Sequence, residues 1–363
     1  MTSPEKEDDN AAPRPRRRPR WVLIAVIVAV VGLAAATILV GVRVIDGTGG
    51  QQFSSMALPL RTVGEVPLPG EGSRFDYASL DAVKGLLFVA HLGASEVIEV
   101  DVRAHRVVRT IPHVAQVHGV LVVPALHRVY ATATGANSMI TLDEDTGAQI
   151  GQPTPTGDYP DGLAFDPSRG AVWTTNETGG SETVIDTRTG AVRGTVDLGA
   201  EVGNIVYDPN ADRMLVAVQG RNELAVIDPV MLMVTNTLPL SGCDHAHGLA
   251  LDPGNGLAFV GCDGNATVLT VDLTSWHVTG TNTVGNGPDV LAFDESAHRL
   301  YVAAESGWVT LLDLNNRRFT VVGSDHLADG AHVVAVDPDT HHSYYPIPAG
   351  DGGHPVLLER QPT

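Results

Sequence analysis

One position that recurs along this chain carries side chains that can bind metals or transfer protons. It recurs every 42 to 44 residues, and its occupants are Asp76, His118, Asp161, Gly203, His247, Asp289 and His332. Only 18% of the residues are Asp, Glu, Lys or Arg, so this position concentrates ionisable groups. Imidazole and carboxylate groups that converge on one axis can bind a transition metal, form an acid–base pair or hydrogen-bond a polar ligand. Polar residues that only hold water in a channel would show the same composition, so the four alternatives stay open here.

A second set of polar residues follows at the end of the next apolar segment in five of the seven repeats. Its members are His91, Asn176, Glu177, Gln219, Asp263 and Glu305, and Arg74 and His245 flank the first set. The predicted ligand-binding residues, drawn from both sets, are Asp76, His91, Asp161, Asn176 and Asp289. The predicted metal ligands are His118, His247 and His332, with Zn, Cu or Ca as the candidate ions.

A repeat of four short apolar segments must position these residues. Between residues 289 and 325 the segments are VLAFD, RLYVAAE, VTLLDL and FTVVG, and turn-forming residues separate them. Segments of this length and composition predict strands, and connections too short for a crossover helix require antiparallel hairpins. Four strands at a period of 42 to 44 residues are typical of a propeller blade. The sequence therefore predicts an all-β fold, a seven-bladed β-propeller with four-stranded blades, in which the innermost strands bring the recurring position to the channel mouth.

The two ends of the repeat region predict how the ring closes. The final repeat contains VAVD, SYYPIP and PVLLER, and little chain remains after Arg360 for a fourth strand. The segment LRTVGEVPLPG, residues 60–70, resembles the last strand of a blade. We therefore expect this N-terminal strand to complete the last blade, which would leave no exposed sheet edge.

Residues 21–42 contain no charged side chain over 22 positions, enough for a helix to span a hydrocarbon core of about 30 Å. The arginines before this run favour a cytoplasmic N-terminus. A cleaved signal peptide is the alternative, although its apolar region would be shorter. The predicted domains are a cytoplasmic basic tail (1–20), a transmembrane helix (21–42), a linker (43–56) and the propeller (57–363). This organisation predicts a single-pass protein of the cell membrane with an extracytoplasmic propeller.

Cysteine usage and charge agree with that location. Cys243 immediately precedes one strand of the fifth repeat and Cys262 ends its hairpin partner, so we expect a disulfide in an oxidising compartment. A Cys–His metal site with His245 and His247 is the alternative. The net charge of −19 argues against nucleic acid and anionic lipid surfaces as partners.

The segments RVYATAT, AVWTTNE, RLYVAAE and LFVAHLG resemble the Tyr-Val-Thr-Asn repeat of the YVTN or YncE-like seven-bladed β-propellers. The similarity covers roughly residues 73–347. It implies the fold and a secreted or periplasmic location, but no activity, because propellers host many functions. Related propellers include the copper domain of nitrous oxide reductases and calcium-dependent lactonases. This chain has too few channel-facing histidines for the first and no clear Glu-Asn-Asn-Asp quartet for the second.

We therefore expect a binding or scaffold module rather than an enzyme, with an unknown protein or small-molecule ligand at the top face of the propeller. The sequence lacks the zinc-protease, nucleophile-elbow, phosphate-loop and haem-attachment motifs. Two alternatives use the same ring of residues. One is a metal-dependent hydrolase or lactonase, in which a carboxylate takes a proton from metal-bound water. The other is a periplasmic metal-binding protein.

Overall fold

Twenty-eight strands form seven sheets in the computed structural model, which describes residues 55–363. Each sheet contains four strands, and all neighbouring strands are antiparallel. The prediction of an all-β, seven-bladed propeller is confirmed. The predicted basic tail and transmembrane helix lie outside the described residues. Within residues 55–363, no helix is long and apolar enough to span a bilayer.

The strands follow the chain from the centre of each blade outward. β1 (Leu60–Pro67) precedes the first blade. Blade one contains β2 (Ala78–Asp81), β3 (Leu86–His91), β4 (Glu96–Asp101) and β5 (Arg106–Pro112). Blade two contains β6 (Val117–Val123), β7 (Arg128–Ala133), β8 (Ser138–Asp143) and β9 (Thr154–Pro155). Blade three contains β10 (Pro160–Asp166), β11 (Ala171–Asn176), β12 (Ser181–Asp186) and β13 (Val192–Asp197).

The remaining blades repeat this order. Blade four contains β14 (Ile205–Asp208), β15 (Arg213–Val218), β16 (Glu223–Asp228) and β17 (Met233–Pro239). Blade five contains β18 (Ala246–Asp252), β19 (Leu257–Cys262), β20 (Thr267–Asp272) and β21 (His277–Thr283). Blade six contains β22 (Pro288–Asp294), β23 (Arg299–Ala304), β24 (Trp308–Asn315) and β25 (Arg318–His326). Blade seven contains β26 (Ala335–Val336), β27 (Ser343–Ile347) and β28 (Val356–Pro362), with β1 as its fourth strand.

Short 3-10 helices follow several of the strands. Their bounds are Leu92–Ala94, Pro124–Leu126, Thr134–Ala136, Gln219–Arg221 and Asp263–Asn265. Four of the five directly follow the second strand of a blade. Because the first and second strands are antiparallel, the ends of the second strands lie on the same side of the ring as the starts of the first strands.

The N-terminal strand closes the ring, as predicted. β1 pairs antiparallel with β28, from Leu60 opposite Pro362 to Pro67 opposite Val356. A bridge between Met56 and Ser324 adds two backbone hydrogen bonds of 2.7 Å to the outer strand of blade six. The first described residues therefore hold together the last two blades.

The aspartate that recurs at the end of each first strand is a turn residue. Oδ1 of Asp81 accepts hydrogen bonds from the backbone amides of Val83 and Lys84, at 2.9 and 3.1 Å. Asx turns of this kind stabilise tight hairpin connections. The same role is taken by Asp166, Asp208, Asp252, Asp294 and Asp337. It is also taken at the ends of third strands by Asp101, Asp143, Asp186, Asp228 and Asp272. Much of the acidic charge is thus structural.

The apolar residues form layers between neighbouring blades. Trp173 and Val184 of blade three, for example, pack against Met214 and Val216 of blade four, and all four side chains are buried. Because each blade buries its faces only against its neighbours, the channel is free for polar side chains.

The predicted disulfide between Cys243 and Cys262 is confirmed. It links the turn before blade five to the end of β19. Both thiols are used in this bond, so the alternative Cys–His metal site is not formed.

We predict that ring closure depends on the apolar face of β1. Val66 is buried, whereas Thr62 on the same strand is exposed. Val66→Asp should lower the free energy of unfolding by about 3 kcal/mol or more, because it buries an unpaired carboxylate. Thr62→Asp is the matched control and should change it by less than about 0.5 kcal/mol. Urea unfolding followed by circular dichroism measures both, and equal stabilities would contradict the role of β1.

We predict a second stability effect from the disulfide. The bond closes a loop with a sequence separation of 19 residues. Chain-entropy arguments give about 3 kcal/mol for such a loop. The variant Cys243→Ala/Cys262→Ala should lose a comparable free energy of unfolding under oxidising conditions. Adding a reductant should destabilise the native protein but leave the variant unchanged; a reductant effect on the variant would assign the loss to another cause.

Candidate functional site

A cavity of about 470 Å³ lies at the channel mouth. Its lining includes a member of the recurring position from each of blades one, two, three, five and six. These residues are Asp76, His118, Asp161, His247 and Asp289. Ends of second strands add Glu177, Gln219, Asp263 and Glu305. The cavity thus contains six carboxyl groups, whereas Arg74 is the permanently charged cation among its lining residues.

Backbone contacts between blades bring these residues together. The amide of Tyr77 donates to the carbonyl of His118 at 3.2 Å, and the amide of Asn204 donates to the carbonyl of His247 at 2.9 Å. At the fourth recurring position, Gly203 passes so close to blade five that a Cβ atom would lie 2.6 Å from Cα of His247. The one non-ionisable member of the set is therefore glycine for a steric reason.

His247 and Asp289 form a buried ion pair, with Nε2 and Oδ1 3.1 Å apart. The other ring nitrogen, Nδ1, lies 2.9 Å from Oε1 of Gln219. Burial opposes protonation of the imidazole, but the hydrogen bond and charge of Asp289, with the charges of Asp161 and Glu177, outweigh it and raise the pKa of His247 to about 10. His247 is therefore an imidazolium that donates from both nitrogens, and neither offers a lone pair to a metal.

His118 also has both ring nitrogens engaged. Nδ1 lies 2.9 Å from the carbonyl oxygen of Gln116, to which it donates. Nε2 then accepts from the hydroxyl of Tyr159 at 3.0 Å. The oxygen Oδ2 of Asp76 lies 3.7 Å from the same Nε2. In this arrangement His118 orients Tyr159 at the rim of the cavity.

His332 differs from both. Only 1% of its surface is exposed, and neither ring nitrogen has a hydrogen-bond partner in the structure. Its Nε2 lies 3.6 Å from Oδ1 of Asp76 and 3.9 Å from Oδ2 of Asp289. The three predicted histidines therefore do not share one set of ligand atoms. Instead, the ligand atoms of Asp76, Asp289 and His332 all lie within 4.8 Å of one another, one of two such groups among the described residues.

Tyr77 crosses the channel below these residues. It belongs to blade one, and its hydroxyl donates to Oδ1 of Asn204 in blade four at 2.7 Å. Oδ2 of Asp161 lies 3.4 Å and Nε2 of His247 3.5 Å from the same hydroxyl. Its side chain lines both the mouth cavity and a lower cavity of about 310 Å³ along the inner strands. It thus forms the floor of the mouth cavity.

The carboxyl groups of the cavity are crowded. Burial and the charge of Asp76 raise the pKa of Asp161 well above its usual value, although His247 acts in the opposite direction. Burial also raises the pKa of Asp263, and Asp289 adds to the shift. The cavity therefore favours a positively charged occupant, which would relieve this repulsion.

Two of the predicted ligand-binding residues lie away from the cavity. His91 is stacked on Phe75 and contacts Ser73 and Glu96, with its ring nitrogens 2.9 and 3.0 Å from their side-chain oxygens. Asn176 is buried within blade three, where its amide donates to Ser181 and Thr183. Local turns use up the polar groups of both side chains.

Three polar lining residues were not singled out by the sequence pattern: Tyr77, Gln116 and Tyr159. Tyr77 directly follows Asp76, and Tyr159 lies two residues before Asp161. Proximity to the recurring position was therefore the available signal. The left-handed backbone of Tyr159, with φ of 60°, turns its side chain toward the rim.

The fold has structural relatives. The chain is similar to a solved chain titled hydrazine synthase, from Kuenenia stuttgartiensis, with a TM-score of 0.66 and 15% sequence identity. The similarity covers 83% of this chain and 96% of that chain. At this identity it shows the fold alone. No protein-family model and no curated protein matches the sequence.

We predict that Asp161 lowers the stability of the fold. Its pKa is raised on folding, so its contribution is favourable below pH 3.8 and is lost as the pH rises through the folded-state value. Asp161→Asn should therefore raise the free energy of unfolding at pH 7 and have little effect at pH 3.

The matched control for this prediction is Asp166→Asn, at the other end of β10. Asp166 is buried and pairs with Arg169 at 2.9 Å, so this change should destabilise the protein at pH 7. Urea unfolding at both pH values measures the two effects. A destabilising Asp161→Asn at pH 7 would show that the carboxylate serves the fold.

Proposed function

We propose that this protein is a ligand-binding β-propeller whose ligand carries positive charge and occupies the cavity at the channel mouth. The observation that carries the proposal is the convergence of six carboxyl groups on one cavity. Its lining offers two cations to balance them, the guanidinium of Arg74 and the imidazolium of His247. Burial, with repulsion from neighbouring carboxylates, raises the pKa of Asp161 and Asp263. A bound cation would stabilise their ionised forms, so the binding energy comes from a charge imbalance already present in the fold.

The size and rim of the cavity support an organic cation. A volume of about 470 Å³ lies within the roughly 300–1,000 Å³ range of small-molecule sites. Tyr159 lies at the rim with 38% of its surface exposed. An exposed aromatic ring beside carboxylates is a suitable arrangement for an ammonium group, through cation–π attraction and ion pairing. Amines, or a lysine or arginine side chain of a protein partner, have the required chemistry.

The cellular setting is proposed on separate grounds. We infer a YVTN or YncE-like propeller (57–363) that is joined by a linker (43–56) to a transmembrane helix (21–42) and a cytoplasmic tail (1–20). The apolar run and the arginines before it support the anchor. The disulfide between Cys243 and Cys262 supports an oxidising compartment, outside the cytoplasm.

A metal-binding role is the second candidate, either as a periplasmic metal-binding protein or as a metal-dependent hydrolase or lactonase. One observation favours it: Asp76, Asp289 and His332 bring three ligand atoms within 4.8 Å of one another. Release of a chromogenic ester or lactone product by the metal-loaded protein would separate the hydrolase from the binding protein.

Isothermal titration of the full chain with putrescine, spermidine and choline tests the main proposal. We expect 1:1 binding of at least one amine. The measured heat should change with the ionisation enthalpy of the buffer, because a bound ammonium group favours the ionised form of Asp161 and so promotes release of its proton. Asp263→Asn should weaken binding about tenfold, corresponding to about 1.4 kcal/mol.

Asp329→Asn is the control, since it removes one charge from a fully exposed side chain outside the cavity. It should leave the affinity unchanged. Binding of succinate or citrate in place of any amine would overturn the proposal, as would equal losses of affinity in the two variants.

A further inference from the structure

We propose that Asp76, Asp289 and His332 form a binding site for one divalent transition-metal ion, and that the guanidinium of Arg74 competes with the ion for the two carboxylates. The inference rests on the proposed function in one respect, that the mouth cavity admits cations. It replaces the three-histidine ligand set expected from the sequence with one histidine and two carboxylates.

The distances from His332 to the two carboxylates suit ligands of one shared ion. Nε2 of His332 lies 3.6 Å from Oδ1 of Asp76 and 3.9 Å from Oδ2 of Asp289. These separations are too long for hydrogen bonds. Metal bonds of about 2.0–2.2 Å in tetrahedral geometry place neighbouring ligand atoms about 3.3–3.6 Å apart. Shifts of a few tenths of an ångström would therefore complete the site.

The absence of hydrogen bonds at the ring nitrogens of His332 is the second observation. His332 is 1% exposed, yet neither of its nitrogens has a hydrogen-bond partner in the structure. A buried polar group without a hydrogen bond destabilises the fold, so such a group requires an explanation. His118 and His247 at equivalent positions each have two engaged nitrogens. Of these three histidines, only His332 has a ring nitrogen left to bind a metal ion, and a metal bond to Nε2 would supply its missing partner.

The two carboxylates face His332 with the oxygens that do not contact His118 or His247. Asp289 contacts His247 through Oδ1 and faces His332 with Oδ2. Asp76 faces His118 with Oδ2 and His332 with Oδ1. Oε2 of Glu305 lies 3.6 Å from Nδ1 of His332. A carboxylate on the far side of a ligating imidazole orients the ring and increases its basicity.

Arg74 contacts the same two oxygens. Its Nη2 lies 3.5 Å from Oδ1 of Asp76 and 4.0 Å from Oδ2 of Asp289. The same nitrogen lies 2.7 Å from Oε1 of Glu305, and the Arg74 side chain is 42% exposed. The guanidinium can therefore leave the two aspartates and keep Glu305 as its partner. Arg74 and a metal ion would compete for one pair of carboxylate oxygens.

The ligand chemistry selects a class of ion. One imidazole with two carboxylates suits Zn²⁺, Mn²⁺ or Fe²⁺, whereas Mg²⁺ and Ca²⁺ prefer oxygen ligands alone. Three protein ligands leave at least one coordination position facing the cavity, open to water or to a ligand.

The test measures Zn²⁺ and Co²⁺ binding to the full chain, purified without a histidine tag. Titration calorimetry gives stoichiometry and affinity, and the visible absorption of Co²⁺ reports its ligands. We expect one equivalent, and loss of at least tenfold in affinity in Asp76→Asn, Asp289→Asn and His332→Gln. His332→Gln should also change the Co²⁺ spectrum. Arg74→Gln should bind at least tenfold more tightly, because the competing cation is gone.

Two controls locate the ion. His127, Glu144 and Asp145 form a second group with metal-ligand spacing among the described residues, in the turns that connect the strands of blade two. Asp145→Asn should therefore retain the metal, and loss of binding in this variant would overturn the proposal. Asp329→Asn, which removes one charge from an exposed side chain outside the cavity, should also retain it. Thermal melting of each variant checks folding, and Asp289→Asn is the conservative substitution if His332→Gln fails to fold.

The outcomes separate this inference from the amine-binding proposal. Metal binding without amine binding would sustain the metal site and remove the proposed organic ligand. Amine binding without stoichiometric metal would do the reverse. Unchanged metal affinity in Arg74→Gln would overturn the competition even if the site exists.

Discussion

The closure of the ring is the constraint on which the rest of this structure depends. Each blade is a thin sheet that can bury its two faces only against its neighbours, so an open series of blades would expose an apolar face at each end. β1 closes the series by pairing with β28, and the bridge from Met56 to Ser324 extends the contact to blade six. The apolar layers and the polar channel both follow from this closure.

Closure also imposes an electrostatic cost at the centre. The first strands converge on one axis, and the residues that precede them must approach one another whether or not their charges agree. The close contact at Gly203 shows how little space is left at this level. Where larger side chains occur, they are Asp and His, and the protein retains carboxyl groups whose ionisation is opposed by burial and by one another. Sites that bind charged ligands commonly lower the stability of the fold in this way.

The period of the repeat was sufficient to predict the blades, the closing strand and the channel-mouth position of residues such as Asp161. The disulfide could be predicted because Cys243 and Cys262 flank strands of one hairpin. The hydrogen bonding of each histidine could not. Tyr159 engages His118 from the next blade, and Gln219 engages His247 from the preceding one. These partners depend on the relative rotation of blades, which no local pattern encodes. His91 and Asn176 were wrongly placed in the cavity by the repeat pattern. Their polar atoms are hydrogen-bonded to residues nearby in the sequence.

The hydroxyl of Tyr77 reaches from blade one to Asn204 in blade four, between the two cavities of the channel. A side chain therefore crosses the axis of the ring between the mouth cavity and the lower cavity. A ligand held above it would exchange with solvent through the rim of the mouth cavity. Passage of an ion or solute past Tyr77 would require this hydroxyl to release Asn204.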